Sequence, residues 1–314
     1  MVNLDRPRNV ISQLRPAYDY RYNKEKLLHL APVIQDLKYV VGSVWHDESN
    51  RQRRFRRLFL AGGWQVWKRL ARAPVVLPLF NGFRFRAYPD CQISSAVLYS
   101  RIPNFQSLSF LRKHIENGIL LDIGSNVGLI SLLLADKIKH AILFEPNPVA
   151  AARARENLAL NHLGFEVHEL ALSDRAGTVE LENIGGVNSC NRTVVGFTTS
   201  VPTISVPRKT LDSFLGERGT LPFPISAVKI DVEGHENSVL RGMFGFLKTH
   251  RPRLLMFEYL QRTNIAETLE LFSRAGYRVM ELRAGTPRWA TRQVSPLQDL
   301  FACPENLAAE FVPA

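Results

Sequence analysis

Cysteine is scarce. Cys91, Cys190 and Cys303 are the whole supply in 314 residues. They are odd in number and far apart, and no pair has metal-ligand spacing. A disulfide framework and a cysteine-based zinc site are thereby excluded. No apolar run approaches the ~18 residues that a membrane span needs. The opening stretch Met1-Val2-Asn3-Leu4-Asp5-Arg6-Pro7 lacks the apolar core of a secretory signal. The expected compartment is the cytoplasm. Internal repeats and low-complexity tracts are also missing, so the length fits one large domain or a domain with an extension.

Acid is scarce at one end only. Residues 1–73 hold 15 Lys or Arg against 6 Asp or Glu, so +9 of the total +11 lies there. This predicts a basic, partly helical N-terminal extension over 1–73, ahead of a main domain over 74–314. In residues 51–72, Phe55, Leu58, Phe59, Val66 and Leu70 fall on one side of a helical wheel. Arg51, Arg54, Arg57, Lys68 and Arg72 fall on the other. The favoured expectation is that the apolar side packs on the main domain. The alternative is peripheral contact with an anionic membrane. Gly62-Gly63 leaves one helix or two short ones open. A short helix is also expected over 27–39, interrupted near Pro32.

Further on, Asn81-Gly82 between two extended runs predicts a β-hairpin. A helix is expected over 105–117. From Ile119 strands alternate with helices, which predicts an α/β fold: a mostly parallel sheet covered on both faces. Strands are expected at 119–123, 141–145, 165–172, 227–232, 253–259 and 277–282. Ligands of such sheets gather at the strand carboxyl ends.

The pattern Asp122-x-Gly124-x-Asn126-x-Gly128 begins where the first of these strands ends and a helix starts. Glycine there admits turn dihedrals closed to other residues and removes a Cβ from a ligand's path. The helix start offers N–H groups to an anion. Glu145 ends the second strand, where a carboxylate can accept hydrogen bonds from ribose hydroxyls. The candidate cofactor residues are Asp122, Gly124, Ser125, Asn126, Gly128, Glu145, Asn147, Ser173 and Asp174, the last two closing the third strand. The G-x-G-x-x-G spacing of a nicotinamide site is absent, which disfavours a dehydrogenase.

Several spaced motifs occur in order: Leu121-Asp122-Ile123-Gly124-Ser125-Asn126-Val127-Gly128, Phe144-Glu145-Pro146-Asn147-Pro148, Asn157-x-x-x-Asn161, Ala171-Leu172-Ser173-Asp174, Thr210-Leu211-Asp212 and Lys229-Ile230-Asp231-Val232-Glu233-Gly234-His235-Glu236. Together they resemble the FkbM-type methyltransferase family over roughly residues 75–305. The resemblance implies a class I methyltransferase, Rossmann-like fold and S-adenosyl-L-methionine as cofactor. It also implies O-methylation of hydroxyls on sugars or polyketide-like molecules.

Transfer of a methyl group to an alcohol requires alignment and a base for the departing proton. The candidate catalytic residues are His235, Asp231 and Glu233 on the turn after the Asp231 strand, with Glu258 at the end of the next. His235 titrates near neutrality, and either carboxylate could orient it or act as the base. Lys229, two positions before Asp231, reads as its buried partner. Asp231, Glu233 and Glu258 would also suit magnesium, but no spacing demands an ion and none is expected. The expected partner is a hydroxylated small-molecule or glycan acceptor, lined by 80–106 and 185–201. Nucleic acid is disfavoured, because no RNA-binding module or Pro-Pro-aromatic motif accompanies the basic arm. A non-catalytic S-adenosylmethionine-binding module is a further alternative. No signal for an oligomeric state is present.

Overall fold

The computed structural model describes residues 30–115, 117–182, 193–194 and 202–312. Helix α1 spans Leu30–His46. The expected interruption at Pro32 does not occur, because Pro32 falls in the first turn, where its missing N–H would have no intrahelical partner. Helix α2, Arg54–Leu70, runs unbroken through Gly62 and Gly63.

The facing of α2 corrects the sequence expectation. Ala61 and Trp64 are the buried side chains, whereas Phe55 and Phe59 are 80% and 81% exposed. Polar groups anchor the inner side. Arg57 donates to the Val97 carbonyl at 3.1 Å and Trp64 Nε1 to Ser95 Oγ at 3.0 Å. The linker between the helices ties them down further. Asn50 Nδ2 donates to the carbonyls of Val44 and Tyr99, and its Oδ1 accepts from the Arg101 N–H. Asp47 accepts from the Ser100 hydroxyl at 2.7 Å. Val40, Val44, Ala61 and Trp64 therefore belong to the same hydrophobic core as the residues that follow them.

The Asn-Gly hairpin forms as expected from β1 (Val75–Pro78) and β2 (Arg84–Ala87), with Gly82 at φ +88°. Helix α3 (Gln92–Tyr99), unforeseen in the sequence, precedes α4 (Phe105–His114). The alternating region then supplies β3 (Ile119–Ile123), α5 (Leu129–Leu134), β4 (His140–Phe144), α6 (Pro148–Ala159) and β5 (Glu166–His168). After it come β6 (Ala171–Leu172), β7 (Gly177–Glu182), β8 (Thr193–Val194), β9 (Thr203–Lys209) and α7 (Leu211–Arg218). The last part holds β10 (Ile225–Ile230), α8 (Glu236–Gly242), α9 (Phe244–Thr249), β11 (Leu254–Tyr259), α10 (Ile265–Arg274), β12 (Tyr277–Arg283), β13 (Thr286–Trp289), β14 (Gln298–Pro304) and α11 (Ala308–Phe311).

The main sheet has the order β13-β12-β14-β11-β10-β3-β4-β5. Strands β5, β4, β3, β10 and β11 are mutually parallel, while β14 runs antiparallel between β11 and β12. This is the class I methyltransferase, Rossmann-like architecture, with crossover helices on both faces. Alternate residues serve the two sides. Leu120, Leu143 and Ala227 face the core of α4, α5 and α6; Leu121, Ile142 and Val228 face the core of α7 to α10. Order reverses between β3 and β10, so the β3 turn lies at the topological switch point.

One expected strand splits. Residues 166–168 join the main sheet, but Ala171–Leu172 leave it to pair with β9 in a second sheet of order β6-β9-β7-β8. Most of the stretch 185–201 lies outside the described residues. Among the described residues, no helix is long and apolar enough to cross a membrane.

Candidate active site

Strand β3 is buried throughout and delivers Asp122 and Ile123 to the turn. Gly124 takes φ +72°, and a Cβ there would collide with the carbonyl oxygen of Asp231. The glycine is thus required by the close approach of the β10 turn, as well as by its own dihedral. Asn126 and Gly128 also have positive φ. The loop therefore doubles back tightly before α5.

Three charged side chains brace this turn. Lys229 Nζ donates to the Gly124 carbonyl at 2.6 Å and lies 3.5 Å from Asp122 and 3.6 Å from Asp231. Burial alone would favour the neutral amine, but Asp231, Asp122 and Glu145 outweigh it and hold the ammonium above its ordinary pKa. The expected Lys229–Asp231 pair is present, and Asp122 shares it. The second oxygen of Asp122 accepts from the Ser131 hydroxyl at 2.7 Å. Glu145 accepts the N–H of Asn126 on one oxygen and that of Asn147 on the other, each at 2.8 Å. Burial pushes its carboxyl up to about 7, against those two N–H groups and Lys229. Asn147 in turn caps α6 by accepting from Val149 and Ala150.

The Asn157-x-x-x-Asn161 motif locks the hairpin to this region. Asn157 accepts from the Arg86 N–H and donates to the Val127 carbonyl. Asn161, one turn on, bonds both the N–H and the carbonyl of Arg84, each at 2.7 Å. The strand's backbone groups are thus satisfied by one side chain on α6 and one on the turn just after it.

The β10 turn supplies the acidic rim. Glu233 and Gly234 have positive φ, and Glu236, fully buried, accepts the Gly234 N–H at 2.9 Å and the Thr263 hydroxyl at 3.2 Å. Arg262 packs over the turn and donates to the Glu233 carbonyl. Carboxylate oxygens of Asp231, Glu233 and Glu258 lie within 4.8 Å of one another. These three residues come together as expected, in a set whose spacing could also hold a divalent cation.

His235 does not join them. Its Nε2 lies 2.9 Å from Ser173 Oγ. Burial lowers its pKa while Asp174 pulls the other way. Ser173 and Asp174 follow β6, which has left the main sheet. Their side chains bond His235 and Arg241, and the Ser173 carbonyl is crowded against Gly242. Both residues thus follow a strand of the second sheet rather than one of the main sheet.

The residues of the turn fit S-adenosylmethionine. Ser125 Oγ is buried in the turn with no hydrogen-bond partner among the described residues. Each Glu145 oxygen keeps lone-pair capacity beyond its one backbone bond. A polar ligand satisfies both.

The family model described as the methyltransferase FkbM domain matches residues 122–279. This chain belongs to the FkbM methyltransferase family. The match starts at Asp122 and is narrower than the 75–305 span of the motif resemblance. Members use S-adenosylmethionine, in agreement with the turn. Among curated relatives, hexuronic acid methyltransferase AglP of Haloferax volcanii is 31% identical over 135 residues, 43% of this chain and 53% of that protein. The 2-O-methyltransferase NoeI of Sinorhizobium fredii is 30% identical over 171 residues, covering 49% and 67%. The chain thus spans about half to two thirds of the length of these relatives. A solved FkbM methyltransferase from Methylobacillus flagellatus aligns at TM-score 0.41 and 13% identity, covering 87% of this chain and 59% of that one.

Proposed function

We propose that this protein transfers a methyl group from S-adenosylmethionine to a hydroxyl oxygen of a sugar, on a glycan or a lipid-linked saccharide. The observation that carries the reading is the Asp231–Glu233–Glu258 rim next to the Gly124 turn. Relatives named for hexuronic acid and 2-O-methyl transfer support a saccharide acceptor. Residues 74–314 form the methyltransferase domain in this proposal, residues 1–73 an accessory extension, and the site of action is the cytoplasm.

Glu145 would hold the ribose hydroxyls. Ser125, Asn126 and Asn147 would complete the cradle, and Asp122 and Gly128 would fix its walls. The bound cofactor supplies an electrophilic methyl group on a sulfonium. Asp231 accepts the hydroxyl proton. It stands at the end of β10, its carbonyl touches the cofactor turn, and its side chain is partly open to solvent. Lys229 fixes the Asp231 carboxylate from the buried side. Glu233, braced by Arg262, and Glu258 position the acceptor's other hydroxyls. His235 is a positioning residue here. Through Ser173 it clamps the second sheet to the start of α8. The proton therefore goes to a carboxylate, and the imidazole is not the base.

The test is incubation of the purified protein with methyl-labelled S-adenosylmethionine and a panel of uronic-acid and neutral saccharides. Label on a sugar oxygen is expected, with S-adenosylhomocysteine in equal amount. Label on RNA, or cofactor binding without S-adenosylhomocysteine on any hydroxylated acceptor, contradicts the proposal.

A further inference from the structure

Helix α2 faces the wrong way for a helix that merely packs on its domain. Its inner side carries Arg57, Ala61, Trp64 and Gln65, and Arg57, Trp64 and Gln65 hydrogen-bond to groups of α3. Its outer side is an apolar stripe. Phe55, Phe59, Val66 and Leu70 are 80%, 81%, 57% and 80% exposed. Those spacings keep all four on one helical face. Helix α1 repeats the pattern, since Leu37, Val41 and Trp45 recur at every fourth position and are all exposed. The two stripes meet where the Trp45 and Phe55 rings pack edge to face at 5.9 Å, with Arg54 over Trp45. The result is one continuous apolar ridge over two helices, an arrangement soluble surfaces rarely leave uncovered.

The ridge has a basic border. Residues 51–72 contain eight Lys or Arg and no Asp or Glu. Arg51, Arg53, Arg56, Arg69 and Arg72 are exposed around it. We propose that the α1–α2 ridge docks on an anionic lipid surface, with Phe55, Phe59, Val66, Leu70 and Trp45 entering the headgroup–acyl boundary and the arginines on lipid phosphates. A helix with an apolar stripe and basic flanks is built for that boundary. Charge selects this occupant over a second copy of the chain, because a two-fold contact would set the exposed arginines of one ridge against those of the other. Apolar chemistry selects it over RNA, since a polyanion rewards cations and stacked rings but gives nothing to Val66, Leu70, Leu37 or Val41. The inference stands apart from the methyl-transfer reading, because it is read by vesicle binding rather than turnover.

The experiment is co-flotation of the full chain with vesicles of phosphatidylcholine alone and of phosphatidylcholine with phosphatidylglycerol. Binding to the anionic vesicles only is expected. Phe55→Ser with Phe59→Ser is expected to weaken it by on the order of thirtyfold. Arg53→Gln or Arg56→Gln should each weaken it by roughly fivefold. Both substitution sets lie on exposed positions, so unchanged thermal melting and unchanged cofactor binding report an intact fold. Equal flotation of wild type and the double Phe variant overturns the proposal. So does flotation that follows salt alone, a dimer in ultracentrifugation that the Phe substitutions dissolve, or retention of RNA without retention of vesicles.

Discussion

At the glycine turn, both oxygens of Glu145 accept backbone N–H groups, and Asp122 is divided between Ser131 and Lys229. At the acidic rim, three carboxylates crowd within 4.8 Å, with Lys229 and Arg262 as the neighbouring cations. The two regions share an edge of one sheet, and Lys229 touches both. Fixed carboxylates build a cradle, because each bond already made sets where the next hydrogen bond must come from. Crowded carboxylates at a partly open turn instead suit proton uptake and recognition of several hydroxyls. In the proposed reading, holding the donor and activating the acceptor fall to two neighbouring turns on one sheet edge, Gly124 and Asp231, which meet in space.

That division can be broken from either side. The largest effect on kcat at saturating cofactor is expected from Asp231→Asn, which should lower it by about 10²–10⁴-fold while leaving cofactor affinity close to wild type. Loss of the Lys229 pair is a smaller cost at a partly exposed position. Gly124→Val should remove cofactor binding altogether, since the new side chain meets the Asp231 carbonyl at φ +72°; calorimetry would show it. Glu145→Gln should weaken cofactor binding by roughly 10–100-fold, the worth of hydrogen bonds to a charged acceptor.

The Glu145 carboxyl titrates near 7 in the folded chain, above its ordinary value. Two pH signatures follow. Affinity for the cofactor should fall as pH drops through about 7, because the ionised form is the ribose acceptor. Stability of the cofactor-free protein should change with the opposite sign. The folded state retains a proton that the unfolded chain has released, so Glu145's contribution is full below the unfolded pKa of about 4.3 and is lost as pH rises to about 7. Glu145→Gln should flatten both profiles.

The smallest effects are expected at His235 and from metal removal. His235→Ala should change kcat by less than about tenfold and cost about 1 kcal/mol of stability through the Ser173 bond. Its lowered pKa makes the native state resist protonation, so the wild type loses stability as pH falls below about 6.5, and this component should vanish in the variant. A tenfold or larger loss of kcat with a shifted pH–rate profile would restore the imidazole as base. A chelator should leave turnover unchanged; collapse with rescue by magnesium would reassign Asp231, Glu233 and Glu258 to ion binding.

Local pattern made the cradle legible. A buried run, a glycine turn and a helix start stand together at 119–134, and Glu145 falls at the next strand end. The hairpin was legible for the same reason, through Asn81-Gly82. What escaped depends on distant pairing. Nothing in the run 165–172 shows that Ala171 pairs with Arg208 while Val167 pairs with Leu143. That split also sets Ser173 against His235, a contact between residues 62 positions apart. Helix α3 escaped because its burial is conferred by α2 and the hairpin. The α2 wheel displayed two faces without saying which one the domain would cover. Lys229 was legible as a buried ion-pair partner, but its bond to the Gly124 carbonyl joins residues 105 positions apart.

The most direct measurement is a paired titration of cofactor affinity and turnover in Asp231→Asn and Glu145→Gln. Separate cradle and rim predict that Asp231→Asn binds S-adenosylmethionine within about threefold of wild type but scarcely turns over, while Glu145→Gln loses affinity first and regains much of its rate at saturating cofactor. Parallel loss of affinity and rate in Asp231→Asn, or near-normal turnover by it, would contradict the account.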